Sequence, residues 1–202
     1  MDMEGIMNQN LIPIIILIGL IWALYKIVMK VYINYFNEQL KNRLLKQQDL
    51  DSLFNAFWSK LLLSKYDIIS AKLKVSLIKG EDINVLLLDA YKYGDRSQKK
   101  DVVTYALEYY GMHDNTTRFT FWENKAKTTK DMGLIQYSKM LHDIFILKSG
   151  DHINELEKYF DAFKDSQKGY NAYLLYRQYE NICDKENANK YKNYARQFGF
   201  LK

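Results

Sequence analysis

GEDINVL (Gly80–Leu86) and GDHINEL (Gly150–Leu156) read almost alike: a glycine, an acidic residue, then Ile-Asn-x-Leu, 70 residues apart. The resemblance continues beyond the quoted letters. Apolar residues follow at matched offsets, Ile83, Leu86, Ala90 and Tyr93 in one copy and Ile153, Leu156, Phe160 and Phe163 in the other. The pattern returns near the C-terminus as Ala188, Tyr191, Ala195 and Phe198, and between the first two as a shortened Phe119, Trp122 and Ala126. The starts at 83, 119, 153 and 188 are separated by steps of 36, 34 and 35 residues. Residues three, seven and ten apart share one face of a helix. Four copies at near-constant spacing predict four equivalent helices.

A second apolar stripe precedes each copy. These are Tyr66, Ile69, Leu73 and Leu77; Val103, Ala106, Leu107 and Tyr110; Leu134, Tyr137, Leu141 and Phe145; and Ala172, Leu175, Tyr179 and Ile182. Each unit is therefore expected to be a helix, a short turn and a second helix. Lys79-Gly80-Glu81, Ser149-Gly150-Asp151 and Cys183-Asp184 supply turns. Glycine takes the left-handed conformation that ends a helix. An acidic or Asn residue then suits the positive start of the next.

With its period near 34 residues and its paired helices, the chain resembles the tetratricopeptide repeat. The best match is YNAYLLYRQYENICDKENANKYKNYARQF, Tyr170–Phe198. The family places Leu and an aromatic in its first helix, where Leu175 and Tyr179 stand. It places small residues in the second, where Ala188 and Ala195 stand. Departures are plain: Tyr176 fills a small first-helix position, Lys192 an aromatic one with Tyr191 beside it, and Ile153 and Phe160 occupy close-crossing positions in an earlier copy. The resemblance covers roughly 49–198 as architecture and only the last copy as motif. A helical bundle with a fortuitous period is the alternative. The resemblance implies a concave surface, lined by the first helices, that binds a peptide segment. Carried onto the last copy, it marks Tyr170, Tyr173 and Arg177; one repeat back it reaches Ser138 and His142. Arg177 would meet an acidic side chain or a terminal carboxylate.

The N-terminal third carries a different signal. No charged residue occurs from Gly5 to Tyr25, and LIPIIILIGLIWALYKIVMKVYI, Leu11–Ile33, is long enough to cross a bilayer. Pro13 lies near its start. Trp22, Tyr25, Lys26 and Lys30 stand at its far end, where aromatic rings and snorkelling lysines meet head groups. The acidic start MDMEG and the lack of an A-x-A site argue against a cleaved signal peptide. Lys and Arg follow the span and none precedes it, which predicts an outside N-terminus and a cytoplasmic C-terminal domain in a single-pass cell-membrane protein. The expected organisation is a tail (1–10), a transmembrane helix (11–33), a helical stalk (34–48) and an all-α repeat domain (49–202). In the stalk, Ile33, Phe36, Leu40 and Leu44 recur at helical spacing. That face suits either the membrane surface or the following domain.

Composition narrows the chemistry. Cys183 is the only cysteine, so no intrachain disulfide and no multi-thiol zinc site exist. No G-x-x-x-x-G-K-S/T loop, G-x-G-x-x-G, H-E-x-x-H or G-x-S-x-G occurs. His113-Asp114 and His142-Asp143 raise an HD-type metal phosphohydrolase as the enzymatic alternative, using His113, His142, Asp143 and Asp161 or Asp184. Asp82, Glu155, Glu157 and Asp161 read as helix caps and solvated faces. The net charge of +5 comes from dispersed lysines, and nucleic acid is not an expected partner. The 17 Tyr suit helix seams and binding surfaces. The expected function is a membrane-anchored scaffold that binds a protein or peptide segment, with no cofactor and no metal, next to a bilayer. A membrane-attached peptide sensor is its near variant.

Overall fold

The computed structural model describes residues 3–46 and 48–201, with side chains described from Ile16 onward apart from Ser166. Among these residues the chain forms eleven α-helices and no strand, so the fold is all-α. It divides into two compact units, Met1–Tyr93 and Gly94–Lys202.

The first unit holds α1 (Met3–Leu45), α2 (Asp51–Asn55), α3 (Phe57–Leu62), α4 (Lys65–Lys79) and α5 (Asn84–Tyr93). Residues 3–45 of the expected tail, span and stalk form one helix; Met1, Asp2 and Gln47 lie outside the described residues. Pro13 consequently falls inside α1 rather than at its first turn. At 1.5 Å per residue, 43 residues extend about 64 Å. Its stretch from Ile16 is long and apolar enough to cross a membrane, and none of that apolar window is buried within the protein.

Past Val31 the same helix changes role. Phe36 and Leu40 are buried in a cluster with Leu53, Phe54, Leu63, Ala71 and Val75, flanked by Tyr32, Ile33 and Leu44. The stalk face therefore packs on protein. The Tyr32 hydroxyl donates to Ser59 Oγ at 2.9 Å, and Ser59 Oγ donates to the Leu53 carbonyl at 2.7 Å. Arg43 reaches the Asp49 carbonyl at 2.9 Å and Ser52 Oγ at 2.5 Å, fastening the helix end to α2.

Ser64 and Asp67 form a reciprocal capping box that starts α4. The expected α4 stripe Tyr66, Ile69, Leu73 and Leu77 is only half-buried; Ala71, Val75 and Ser76 are the buried positions. The stripe presumes one partner helix, whereas α4 packs against both α5 and the α1–α2 cluster, which turns a different face inward. Across from it, Ile83, Leu87 and Ala90 are buried and Tyr93 is exposed.

The second unit holds α6 (Arg96–Met112), α7 (Thr116–Thr128), α8 (Met132–Phe145), α9 (Ile153–Phe160), α10 (Asp165–Asn181) and α11 (Lys185–Gln197). Helix pairs recur: α6 packs on α7 and α10 on α11, as α4 does on α5. The third pair departs from the pattern. The short α9 packs on α10, and α8 on α6, α7 and α10. Phe119, Trp122 and Ala126, the shortened copy, are fully buried together with Val103, Ala106, Leu107 and Tyr110. The larger of these side chains, Val103, Leu107 and Phe119 among them, contribute about 1.5–3 kcal/mol each on leaving water.

The repeat is also written in the backbone. Gly80, Asp114, Lys148 and Cys183 all have φ between 51° and 70°, in steps of 34, 34 and 35 residues. Each follows a first helix; Lys130 (φ 54°) and Gly199 (φ 72°), after the second helices α7 and α11, share the conformation outside that spacing. In three of the four turns the next N–H reaches back five residues: Glu81 to Ser76, Asn115 to Tyr110 and Asp184 to Tyr179, all at 2.9 Å. The third turn is wider. There Ser149 N–H reaches the Asp143 carbonyl, and the Asn181 amide donates to the carbonyls of Ile144 and Ser149. The left-handed residue is thus Lys148 and not Gly150. Glycine is needed at 150 for room instead: a Cβ there would lie 2.7 Å from Ile182 Cγ2 and 3.2 Å from Ile153 Cδ1. Asn115 and Asp184, immediately after left-handed residues, cap α7 and α11 with their side chains.

Glu157 corrects another expectation. It accepts from the Tyr179 hydroxyl at 2.7 Å and the Tyr191 hydroxyl at 2.8 Å, whose rings stack. Rather than sitting on a solvated face, it ties α9 to α10 and α11.

Close approach of α6 and α8 makes the packing testable. A Cβ on Gly111 would lie 2.6 Å from Phe145 Cδ2, in a ring that is 1% exposed. Gly111→Ala is expected to lose about 1–3 kcal/mol to overpacking. That outweighs a helix-propensity gain of at most about 1 kcal/mol. Thermal unfolding should show a Tm lowered by about 2–4 °C per kcal/mol; an unchanged Tm would contradict this helix separation.

Candidate functional site

The first helices α6, α8 and α10 of the second unit present one face each to a shared cleft of about 580 Å³. Thr104, Tyr105, Glu108 and Met112 line it from α6, Tyr137 from α8, Gln167, Tyr170 and Asn171 from α10, and Phe200 from the segment after α11. Tyr105, Tyr137 and Tyr170 fall 32 and 33 residues apart, one per first helix, so the repeat period itself stacks the aromatic residues along the cleft.

Glu108 is the centre of its polar network. The Tyr137 hydroxyl donates to Glu108 Oε1 at 2.6 Å and lies 3.2 Å from the Tyr170 hydroxyl. Burial pushes the Glu108 carboxyl above its ordinary value, and the Tyr137 hydrogen bond opposes that shift. No lysine or arginine among the described residues contributes to the shift. The Tyr105 hydroxyl is pushed up to about 12, by burial first and then by Tyr109 and Glu108. Tyr137 and Tyr170 are raised as well, again chiefly by burial, so all three stay neutral hydroxyls. The cleft combines a desolvated carboxylate with four aromatic rings. A cation answers both parts: it pairs with the charge and is attracted to ring faces.

The five groove residues expected from the repeat are dispersed. Tyr170 lines the cleft. Tyr173 is buried beneath it, packed near Phe145 and Phe200. Ser138 is buried and donates to the Ile135 carbonyl at 2.8 Å. His142 Nδ1 faces Glu123 of α7 at 3.3 Å. Arg177 lies over the Phe145 ring and 3.4 Å from Asp114 Oδ1, which Lys148 also holds at 2.7 Å. The hydrogen bond from Lys148, then the Lys148 and Arg177 charges, keep the Asp114 carboxyl below its ordinary range. Lys148 thus joins two successive turns, and Arg177 ties α10 to the first of them. Of the cleft residues, the repeat reading marks only Tyr170 as a groove residue and places Tyr137 in an apolar stripe; Glu108, Tyr105 and Phe200 are among the seven it does not single out. The one available signal was the near-period spacing of the three tyrosines.

The residues of the HD-type alternative have separate partners. His113 Nδ1 bonds the Tyr109 carbonyl at 2.7 Å, His142 faces Glu123, and Asp143 bonds His152 at 2.9 Å. No metal-binding group of three His, Cys, Asp or Glu side chains forms among the described residues. At the other end of the chain, Trp22, Tyr25, Lys26 and Lys30 are all exposed on α1, and Lys26 Nζ lies 5.4 Å over the Trp22 ring.

The raised Glu108 carboxyl has a signed consequence. A carboxyl with a raised folded-state pKa stabilises the fold in its protonated form and loses that contribution as pH rises. Glu108→Gln keeps the acceptor for Tyr137 and removes the charge. The Tm of the wild type relative to this variant should be lowest at pH 8 and climb as pH falls through a value above 4.5, measured by scanning fluorimetry. A pH-independent difference would refute the desolvated carboxylate. No protein-family model, no curated protein and no solved structure matches this chain.

Proposed function

We propose that this protein is a membrane-anchored binding module of divergent tetratricopeptide-like repeats, whose cleft receives an extended segment of a protein partner and seats a basic side chain of that segment against Glu108. The observation that carries the reading is the cleft itself, an unneutralised, desolvated carboxylate among Tyr105, Tyr137, Tyr170 and Phe200. Left-handed turns at steps of 34, 34 and 35 residues support the repeat assignment. Aromatic walls bind the aliphatic stem of Lys or Arg while the carboxylate binds its charge. Replacing the expected arginine-lined groove by an acidic, aromatic one reverses the expected sign of the partner.

In this reading α1 crosses the cell membrane with its N-terminus outside and the cleft in the cytoplasm. Basic residues confined to the following side of the span support that orientation. Anchoring raises the effective concentration of the cleft toward membrane-proximal partners. The module works by holding a partner, and its chemistry is recognition.

Two measurements test this. A library of extended peptides, screened on the full chain in detergent, should enrich sequences with Lys or Arg at one position. Glu108→Gln should weaken the selected peptides by about tenfold or more, as loss of a charged hydrogen bond does. Equal binding of neutral isosteres would sink the cleft assignment. Separately, a cytosol-only reporter fused after Lys202 should be active and a periplasm-only reporter silent; the opposite result would reverse the topology.

A further inference from the structure

An exposed apolar helix face outside the cleft lies on α3. Phe57, Trp58 and Leu61 share one side of it and are 70%, 55% and 57% exposed. Its opposite side is buried through Ser59 and Leu62. The helix is not free to swing: the Tyr32 hydroxyl, Ser59 Oγ and the Leu53 carbonyl form a chain of hydrogen bonds that clamps α3 to α1. Trp58 and Leu62 consequently border an apolar groove whose other wall is Ile27, Val28, Val31, Tyr32 and Tyr35 of α1.

That wall is the end of the apolar stretch expected to cross the bilayer. A hydrocarbon core of about 30 Å takes about 20 helical residues. A span from Leu11 to Ile33 therefore ends at the level of the α1 residues that border the groove with Trp58. The exposed face of α3 is continuous with a lipid-facing surface and stands at its cytoplasmic edge. Trp is enriched at that depth, Phe and Leu suit the apolar face of an interfacial helix, and Lys60 on α3 and Lys26 and Lys30 on α1 are exposed for anionic head groups.

We propose that α3 is a second membrane contact, with Phe57, Trp58 and Leu61 inserted into the head-group layer beside α1. A helix with one attachment can tilt and rotate in the bilayer. Two contacts clamped together define the orientation of the first unit. The occupant is lipid because the face continues the apolar surface of α1 and carries interfacial residue types. This inference rests on the membrane-crossing reading of α1.

Site-directed spin labelling separates the two. The full chain with Cys183→Asn, a residue that tolerates left-handed backbone, is reconstituted into nanodiscs of zwitterionic and anionic phospholipid. Single cysteines for nitroxide labels replace Ile21 in α1, Phe57 and Leu61 in α3, and Ile78 in α4. Ile78 is exposed and borders a pocket with Arg43, ten residues or about 15 Å of helix beyond Ile33. Labels at 21, 57 and 61 are expected to be accessible to oxygen and shielded from a water-soluble nickel chelate, with 57 and 61 shallower than 21. The label at 78 is expected to be accessible to the chelate. A lipid-embedded label at 21 with aqueous labels at 57 and 61 overturns the α3 contact and leaves the span standing. An aqueous label at 21 overturns both. Labels at 57 and 61 shielded from both reagents, with spin–spin broadening, would mean that a second copy covers the face and would overturn the lipid assignment.

Discussion

One residue in the left-handed region closes every first helix, and the rest of the repeat depends on it. Positive φ reverses the chain within a few residues and lets the next N–H reach back to a carbonyl of the helix just ended. Of the four, Gly80 meets that requirement without steric cost, while Asp114, Lys148 and Cys183 hold it at non-glycine positions. The reversal brings second-helix residues such as Trp122 and Ala195 against their first helices. It also ties turns together directly, since Asp114 in one turn binds Lys148 in the next. The exception follows the same logic. Where the third turn widens, α8 and α9 lose their hairpin, and Asn181 and Glu157 hold the segment from outside.

Aligning the first helices creates the cleft and sets its chemistry. Tyr137 touches Glu108 on one neighbour and Tyr170 on another, so a single hydroxyl links all three helices. Partial burial without a neighbouring cation disfavours the charged form of Glu108 and pushes its carboxyl above the ordinary value.

Helix α1 carries two incompatible surfaces on one rod. From Ile16 to Val31 it shows apolar side chains outward; from Tyr32 onward it uses Phe36 and Leu40 to found the core of the first unit. The rigid passage from one to the other couples whatever surrounds the first half to the orientation of the second. Flexible linkers would dissipate that coupling, and no break in α1 separates the two halves.

Helix content, the period and the outward apolar half of α1 were legible in the residues alone. They depend on local spacing, which a helix converts directly into a face. The shortened copy Phe119, Trp122 and Ala126 is the clearest instance, since three matched offsets sufficed to find a fully buried face. Other positions depend on neighbours that spacing does not encode. Gly150 looked like a helix terminator and serves as clearance for Ile182; Glu157 looked solvated and joins three helices. The cleft belongs to this second kind. Whether Tyr170 or Tyr173 faces outward is set by the rotation of α10 against α8, and Glu108 acquires meaning only when Tyr137 arrives 29 residues later. Periodicity along one chain determines which residues share a face, because it is a property of the helix. Which faces meet, and which stay open, is decided by packing between helices, because burial is a property of the assembled fold.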